Sequence, residues 1–228
     1  TRIILPDTEG ISEAGAILRS GGLVAFPTET VYGLGANALD ATATKHIYEA
    51  KGRPSDNPMI VHVANIDMLN GVASGVTDAQ KAIMSKLWPG PITFVLHKNP
   101  AVPDVTTGGL DTVAVRWPSR REAAEIIEAA GVPIAAPSAN LSGKPSPTTF
   151  EDVAEDMDGR IDAIVKGERT AIGIESTVLD LTSEVPTILR PGFITKSQIE
   201  EAVDGEVRYD PSIFKKPGAD DFNPKSPG

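Results

Sequence analysis

The sequence predicts an α/β or α+β domain built on a mixed, mostly buried sheet. Three observations carry that expectation. Short runs rich in Val and Ile alternate with helix-period segments. Their order is not a clean β–α–β alternation: the apolar runs 176–181 and 187–190 are parted only by a turn at 183–186, which reads as an antiparallel hairpin. And 228 residues can bury a core without disulfides or a structural metal.

Taken in order, a helix is expected over 11–20 and a strand over 23–27. Asp40 stands where an N-cap belongs, before a helix over 41–50, and a strand follows over 59–63. Thr77 caps a helix over 78–87, and strands follow over 92–97 and 112–117. Ser119 opens Ser-Arg-Arg-Glu, capping-box spacing to Glu122, for a helix over 120–130 that Gly131 closes. A strand over 132–136, a helix over 149–157, strands over 163–166, 176–181 and 187–190, and a helix over 196–202 complete the pattern. No internal repeat is present. From Asp210 the composition turns to proline and lysine with no apolar period, so residues 1–209 read as the domain and 210–228 as a linker or tail.

The chain has no cysteine, which removes thiol nucleophiles, thiolate metal sites and disulfide frameworks and suits a cytoplasmic protein. No run approaches the roughly 18 apolar residues of a membrane span. The first ten residues lack a signal pattern, and the absent initiator Met reads as processing or trimming. The net charge of −10 argues against a broad nucleic-acid face. An anionic ligand must then be held by a few concentrated cations.

Five stretches carry chemistry. Phe26-Pro-Thr-Glu-Thr-Val-Tyr-Gly-Leu-Gly-Ala-Asn37 leaves a strand with hydroxyls, a glutamate and two glycines, either a ligand loop or a tight strand-to-helix turn capped by hydroxyls. It lacks the third glycine of a dinucleotide fingerprint, and no Walker A sequence occurs. Lys51-Gly-Arg-Pro-Ser-Asp-Asn57 sets two cations in a stiff loop, as a polyphosphate site requires. A helix C-terminus alone accounts for Lys51, less well for Arg53. His62 lies in the strand that follows. Arg116 and Arg190 each end an apolar strand and need an anion. A structural carboxylate could serve one; two of them beside Lys51 and Arg53 point to phosphate. The segment from Pro133 to Pro147 opens a strand into small hydroxyl and amide residues, and Gly173-Ile-Glu-Ser-Thr-Val178 brings a hydroxyl pair into another. With no Ser-His-Asp set and no ligand-spaced His/Asp/Glu cluster, chemistry by positioning and charge stabilisation remains.

Six motifs then occur in the order seen in YrdC-like threonylcarbamoyl-AMP synthases: Pro27-Thr-Glu-Thr-Val-Tyr-Gly-Leu-Gly35, the cation motif from Lys51 through Arg53 to Asn57, Leu87-Trp-Pro-Gly-Pro-Ile-Thr93, Ala136-Pro-Ser-Ala-Asn140, Glu175-Ser-Thr177 and Leu189-Arg-Pro-Gly192. The chain resembles that family over roughly 10–205. The resemblance implies a twisted, open, mixed sheet with a large cationic concave site. It implies that threonine and bicarbonate form a carbamate, that the carbamate attacks the α-phosphorus of ATP, and that the adenylate passes to tRNA threonylcarbamoyl transferase machinery. Magnesium would ride on the ATP phosphates. Carried over by position, Thr30, His62, Arg116, Ser176 and the backbone at Ala136 would hold threonine or its carbamate. Arg53, Asn57, Thr112, Ser138, Ser146 and Arg190 would hold ATP, with Lys51 and Arg53 neutralising phosphate charge.

The longer family members continue through a linker into a small second domain, and Asn223-Pro-Lys-Ser-Pro-Gly228 resembles the start of that linker. Two other readings keep the fold. A related domain of hydrogenase-maturation proteins adenylates a carbamoyl group with a different acceptor, but in longer chains with zinc-finger-like cysteines. An RNA-binding module would use the same cationic face without chemistry, against which the acidic net charge counts.

Overall fold

The computed structural model describes residues 1–214, so the expected tail lies mostly outside the described residues. Eleven strands form one mixed sheet: β1 (Arg2–Ile4), β2 (Val24–Pro27), β3 (Tyr32–Asn37), β4 (Ile60–His62), β5 (Ile92–His97), β6 (Thr112–Arg116), β7 (Ile134–Ala135), β8 (Ala163–Val165), β9 (Thr177–Asp180), β10 (Thr187–Arg190) and β11 (Arg208–Tyr209), in the order β1-β8-β2-β3-β7-β4-β6-β5-β9-β10-β11. Among the described residues eight α-helices flank it, α1 (Thr8–Arg19), α2 (Ala41–Lys51), α3 (Ile66–Val72), α4 (Asp78–Leu87), α5 (Asp104–Thr107), α6 (Arg121–Ala130), α7 (Phe150–Met157) and α8 (Lys196–Val203), and a short 3-10 turn follows at Pro211–Phe214. Among the described residues no helix is long and apolar enough to cross a membrane.

Strand alternation decides what each face does. One face carries Ala25, Leu34, Ala135, Val61, Val115, Phe94, Leu179 and Ile188, and packs on α2, α3, α4, α7 and α8 in the main core. The opposite face carries Val24, Phe26, Ile134 and Val165 under α1 and α6, and these two helices cover only the β1-to-β7 half. Beyond β7 the same face continues without a helix layer among the described residues. Its floor is a small apolar cluster of Val95, Ala114 and Val178, with Ile60 and Leu189 against it. The half-covered face is the structural origin of the site described next.

The expected caps at Asp40 and Thr77 form. Asp40 accepts from the Thr42 and Ala43 amides, and Thr77 with Gln80 makes a full capping box. Gly131 ends α6 in the left-handed region. Ser119 does not cap α6: Arg120 takes the N-cap position without a side-chain cap, and its guanidinium engages the Glu122 carboxylate through two bonds of 3.2 Å. The hairpin β9–β10 is antiparallel as expected.

The stretch from Phe26 to Asn37 differs from its sequence reading. It is a β2–β3 hairpin, not a strand leading into a helix. Tyr32, Leu34 and Ala36 alternate with two glycines, so the apolar side chains fill the core face. Gly35 faces Phe26, where an added Cβ would meet Phe26 Cε1 at 2.7 Å and Ile134 Cγ2 at 3.0 Å. That glycine serves packing, not approach to a ligand. The short elements β1, α3, α5 and β11 also lie beyond what periodicity marked out.

Candidate active site

The uncovered half of the sheet brings one polar row to one edge. His62 pairs with Arg116 across the parallel β4–β6 ladder, Thr93 pairs with Arg116 across β5–β6, and Val178 pairs with both Thr93 and Arg190. Side chains at paired positions share a face. His62, Arg116 and Thr93 therefore stand side by side, Val178 separates Thr93 from Arg190 in the same row, and Ser176 enters from just before β9. The rest of the apolar floor lies one step behind them. Thr30, His62, Arg116, Ala136, Ser176 and Arg190 line one concavity together with Thr28, Gly33, Ser138 and Glu175.

Arg116 emerges here because Val113 and Val115 turn into the core and leave Ala114 and Arg116 on the open face. It is 4 % exposed. Its Nη1 donates to Thr30 Oγ1 at 2.8 Å, and its Nη2 lies 2.7 Å from Glu29 Oε1, an ion pair misaligned for a hydrogen bond. Arg116 Nε and Glu29 Oε2 are buried without hydrogen-bond partners among the described residues. The turn carrying Glu29 and Thr30 is closed by the Thr28 hydroxyl, which donates to the Val31 carbonyl at 2.7 Å and accepts from the Val31 amide.

His62 is buried, with Nδ1 3.3 Å from the Ile60 carbonyl. Burial, then the Arg116 charge, pushes its pKa down to about 3. The ring is a neutral imidazole at physiological pH, able to accept or donate a hydrogen bond but carrying no charge.

At the far side of the row, Arg190 donates from Nε and Nη2 to the Ser176 carbonyl at 3.1 and 3.0 Å, and from Nη2 to Ser176 Oγ at 3.2 Å. Its Nη1 pairs with Glu175 Oε2 at 2.7 Å, while Ser146 donates to Glu175 Oε1 at 2.9 Å. Ser176 Oγ also lies 2.8 Å from Thr93 Oγ1.

Lys51, Arg53 and Asn57 flank the concavity instead of lining it. Lys51 is the last residue of α2 and is 3 % exposed; its ammonium donates to the carbonyls of Ser138 and Asn140. Burial, then neighbouring Arg53, lowers its pKa to about 7. Arg53 Nη2 donates to the Asn57 and Pro58 carbonyls at 3.3 and 3.0 Å. Arg53 Nε and Asn57 Oδ1 are buried with no hydrogen-bond partner among the described residues. Thr112 shares the face of Ala114 and Arg116 but pairs with His97, four residues and so about 13 Å along β6 from Arg116.

The sequence reading missed Thr28, Glu29, Thr93 and Glu175. It allowed a structural carboxylate for one of Arg116 and Arg190 and read the two together as pointing to phosphate; the structure gives each a glutamate. Both glutamates lie inside the motifs, Glu29 between two threonines and Glu175 before Ser176, which was the available signal. With those pairs balanced, the surplus positive charge rests on Arg53 and a Lys51 poised near neutrality.

A profile of the Sua5/YciO/YrdC family, described as Telomere recombination, matches residues 16–192. The chain is 53% identical over 203 residues to the threonylcarbamoyl-AMP synthase of Pyrococcus abyssi, covering 89% of this chain and 59% of that protein. It is 53% identical over 219 residues to the enzyme of the same name from Bacillus subtilis, covering 96% of this chain and 62% of that protein. The chain thus spans about three fifths of the length of these curated relatives. The crystal structure of P. abyssi Sua5 complexed with L-threonine superposes with a TM-score of 0.91 at 51% identity, covering 95% of this chain and 64% of that one.

Proposed function

The chain belongs to the Sua5/YciO/YrdC family, and on that premise we propose that it makes L-threonylcarbamoyladenylate from L-threonine, bicarbonate and ATP, releasing pyrophosphate. The observation that carries this reading is the row of His62, Arg116, Thr93, Ser176 and Arg190 on the uncovered half of one sheet face. It supplies a buried cation and hydroxyls for a small amino acid, next to a second arginine for phosphate. The relatives named threonylcarbamoyl-AMP synthase and the threonine complex of one of them support the same substrates.

In this reading Arg116, Thr30 and Ser176 hold the threonine carboxylate and hydroxyl, with neutral His62 and the Ala136 backbone beside them. Arg116 exchanges part of its contact with Glu29 for the substrate carboxylate. The threonine amine takes up the carbon of bicarbonate with loss of water. A carbamate oxygen then bonds to the α-phosphorus as the bond to the β-phosphate oxygen breaks, and pyrophosphate leaves with that electron pair. Arg53, Asn57, Ser138, Ser146 and Arg190 hold the phosphates, and Lys51 stabilises charge from behind Ser138. The apolar floor between Ile60 and Val178 faces the nucleobase, with Thr112 at its far end.

The oxygen donors fit magnesium carried on the phosphates: Ser138, Ser146 and the Glu175 carboxylate are ligands of the kind that ion takes, and the ion would neutralise charge on pyrophosphate. The adenylate would pass to the machinery that modifies tRNA. The test is pyrophosphate release from ATP and magnesium with threonine and bicarbonate added singly and together. Release that needs both supports the assignment. Release without threonine points to another acceptor, and absence of threonine and ATP binding overturns it.

A further inference from the structure

Asp156 lies near the end of α7, outside the concavity, and is 7 % exposed. Its partners belong to one segment. The Leu141 amide donates to Oδ2 at 3.1 Å, and the Lys144 ammonium pairs with Oδ1. Lys144 also approaches Glu155 at 3.7 Å. That segment carries Ser138 and Ser146. It is tied elsewhere by a bridge from Gly33 to Ser138, by Lys51 at the Ser138 and Asn140 carbonyls, by the Ser142 amide donating to the Lys51 carbonyl at 2.9 Å, and by Ser146 at Glu175. Asn140 closes the turn between these ties, donating to the Leu141 and Lys144 carbonyls at 2.9 and 2.8 Å.

We propose that Asp156 is a positioning residue for the nucleotide: it clamps the segment at Leu141 and Lys144 so that Ser138 and Ser146 stand at the concavity and Lys51 keeps both its carbonyls. This rests on the assignment of ATP to that side of the site. A carboxylate is needed because one oxygen accepts a backbone amide while the other holds an ammonium, and a buried carboxylate is tolerated only when so paired. Burial raises the Asp156 carboxyl, but Lys144, the Leu141 amide and Lys51 outweigh it and hold it below the usual range. The coupling runs both ways. The charged groups acting on Lys51 are Arg53, which disfavours its protonation, and Glu175 and Asp156, which favour it.

Asp156→Asn keeps an acceptor for the Leu141 amide and removes the charge. It should speed amide hydrogen exchange across 138–146 and weaken ATP binding by about tenfold while leaving threonine binding within about twofold. The fall of ATP affinity on the alkaline side should begin at lower pH, because Lys51 loses a carboxylate that keeps it protonated. Exchange, calorimetric titration of ATP and of threonine, and the pH course are measured on the 228-residue chain and its variant. Unchanged exchange and ATP affinity overturn the proposal. So does equal weakening of both ligands with an unmoved pH course, which would make Asp156 a stabilising residue only. If the parent chain binds threonine but not ATP, the nucleotide assignment falls and the positioning role with it, whatever the exchange shows. Should Asp156→Asn fail to fold, Lys144→Met removes the same clamp from its exposed side and must show the faster exchange and the selective loss of ATP.

Discussion

Arg116 and Glu29 form a buried ion pair, Nη2 to Oε1 at 2.7 Å, at the point where β6 meets the β2–β3 turn. Removing one member leaves the other charged and desolvated, the costly way to break such a pair. Arg116→Met should lower stability by about 3 kcal/mol and abolish threonine binding. Arg116→Met with Glu29→Met should recover part of that stability and none of the binding. Urea denaturation of the two single variants and the double variant checks this. Strict additivity would mean the pair is not coupled.

His62 is held neutral, with a pKa near 3 against about 6.5 in the unfolded chain. A depressed histidine stabilises the fold above its unfolded value, and that stability is lost as pH falls toward 3. The unfolded chain takes up a proton there and the folded one does not. The expected slope is up to about 1.4 kcal/mol per pH unit between those values. His62→Gln should flatten the denaturation profile between about pH 6.5 and 5. Nitrogen NMR of the native ring should show one neutral tautomer throughout.

Lys51 titrates with the same sign in a higher window. Its pKa falls from 10.5 to about 7, so between those values the unfolded chain holds a proton that the folded chain has released. Its contribution to stability therefore rises with pH above 7 and is lost as pH falls through 7. Phosphates binding beside it would restore its charge. Calorimetry in buffers of different ionisation enthalpy should find ATP binding coupled to uptake of close to one proton at about pH 8. Lys51→Met should abolish that uptake. No linked proton in the parent chain would mean that Lys51 serves only the Ser138 and Asn140 carbonyls.

Glu175 pairs with Arg190 where phosphates are assigned and stands in their way electrostatically. Glu175→Gln keeps an acceptor for Ser146 and removes that charge. ATP should bind about threefold to tenfold more tightly without magnesium, with a steeper dependence on salt. Weaker binding of free ATP would show that Glu175 serves the nucleotide by orienting Arg190.

The parts of this site legible in sequence were those written locally. Arg116 and Arg190 stood out because each ends an apolar run, and Asp40, Thr77 and Gly131 because caps follow fixed offsets. The β2–β3 hairpin was hidden because the glycines of Gly33-Leu-Gly35 look like a turn until Phe26, from the paired strand, is seen to occupy the place of a side chain. Glu29 and Glu175 were read past because their partners lie 87 and 15 positions on, Arg116 and Arg190, and only sheet register brings them together. Asp156 gave no signal in an acidic helix, where a buried carboxylate looks like its solvated neighbours Glu151, Asp152 and Glu155.

Gly192 links the two halves of the site. An added Cβ there would lie 2.5 Å from the Thr177 amide nitrogen and 2.8 Å from the Glu175 carbonyl oxygen, both backbone atoms that cannot rotate away. Gly192→Ala must therefore push the start of β9 from the end of β10, separating Ser176 from Arg190, which donates to its carbonyl at 3.0 Å. A cost of about 1–3 kcal/mol is expected from overpacking, with threonine and ATP both bound more weakly because the residues assigned to each move together. Gly131→Ala is the control. That glycine sits at φ 68° with nothing within 4 Å of an added Cβ, so the substitution should cost about 1 kcal/mol and leave both ligands unaffected. If Gly192→Ala weakens only one ligand, Ser176 and Arg190 belong to sites that respond separately, and the single row across β9 and β10 is not the unit that binds.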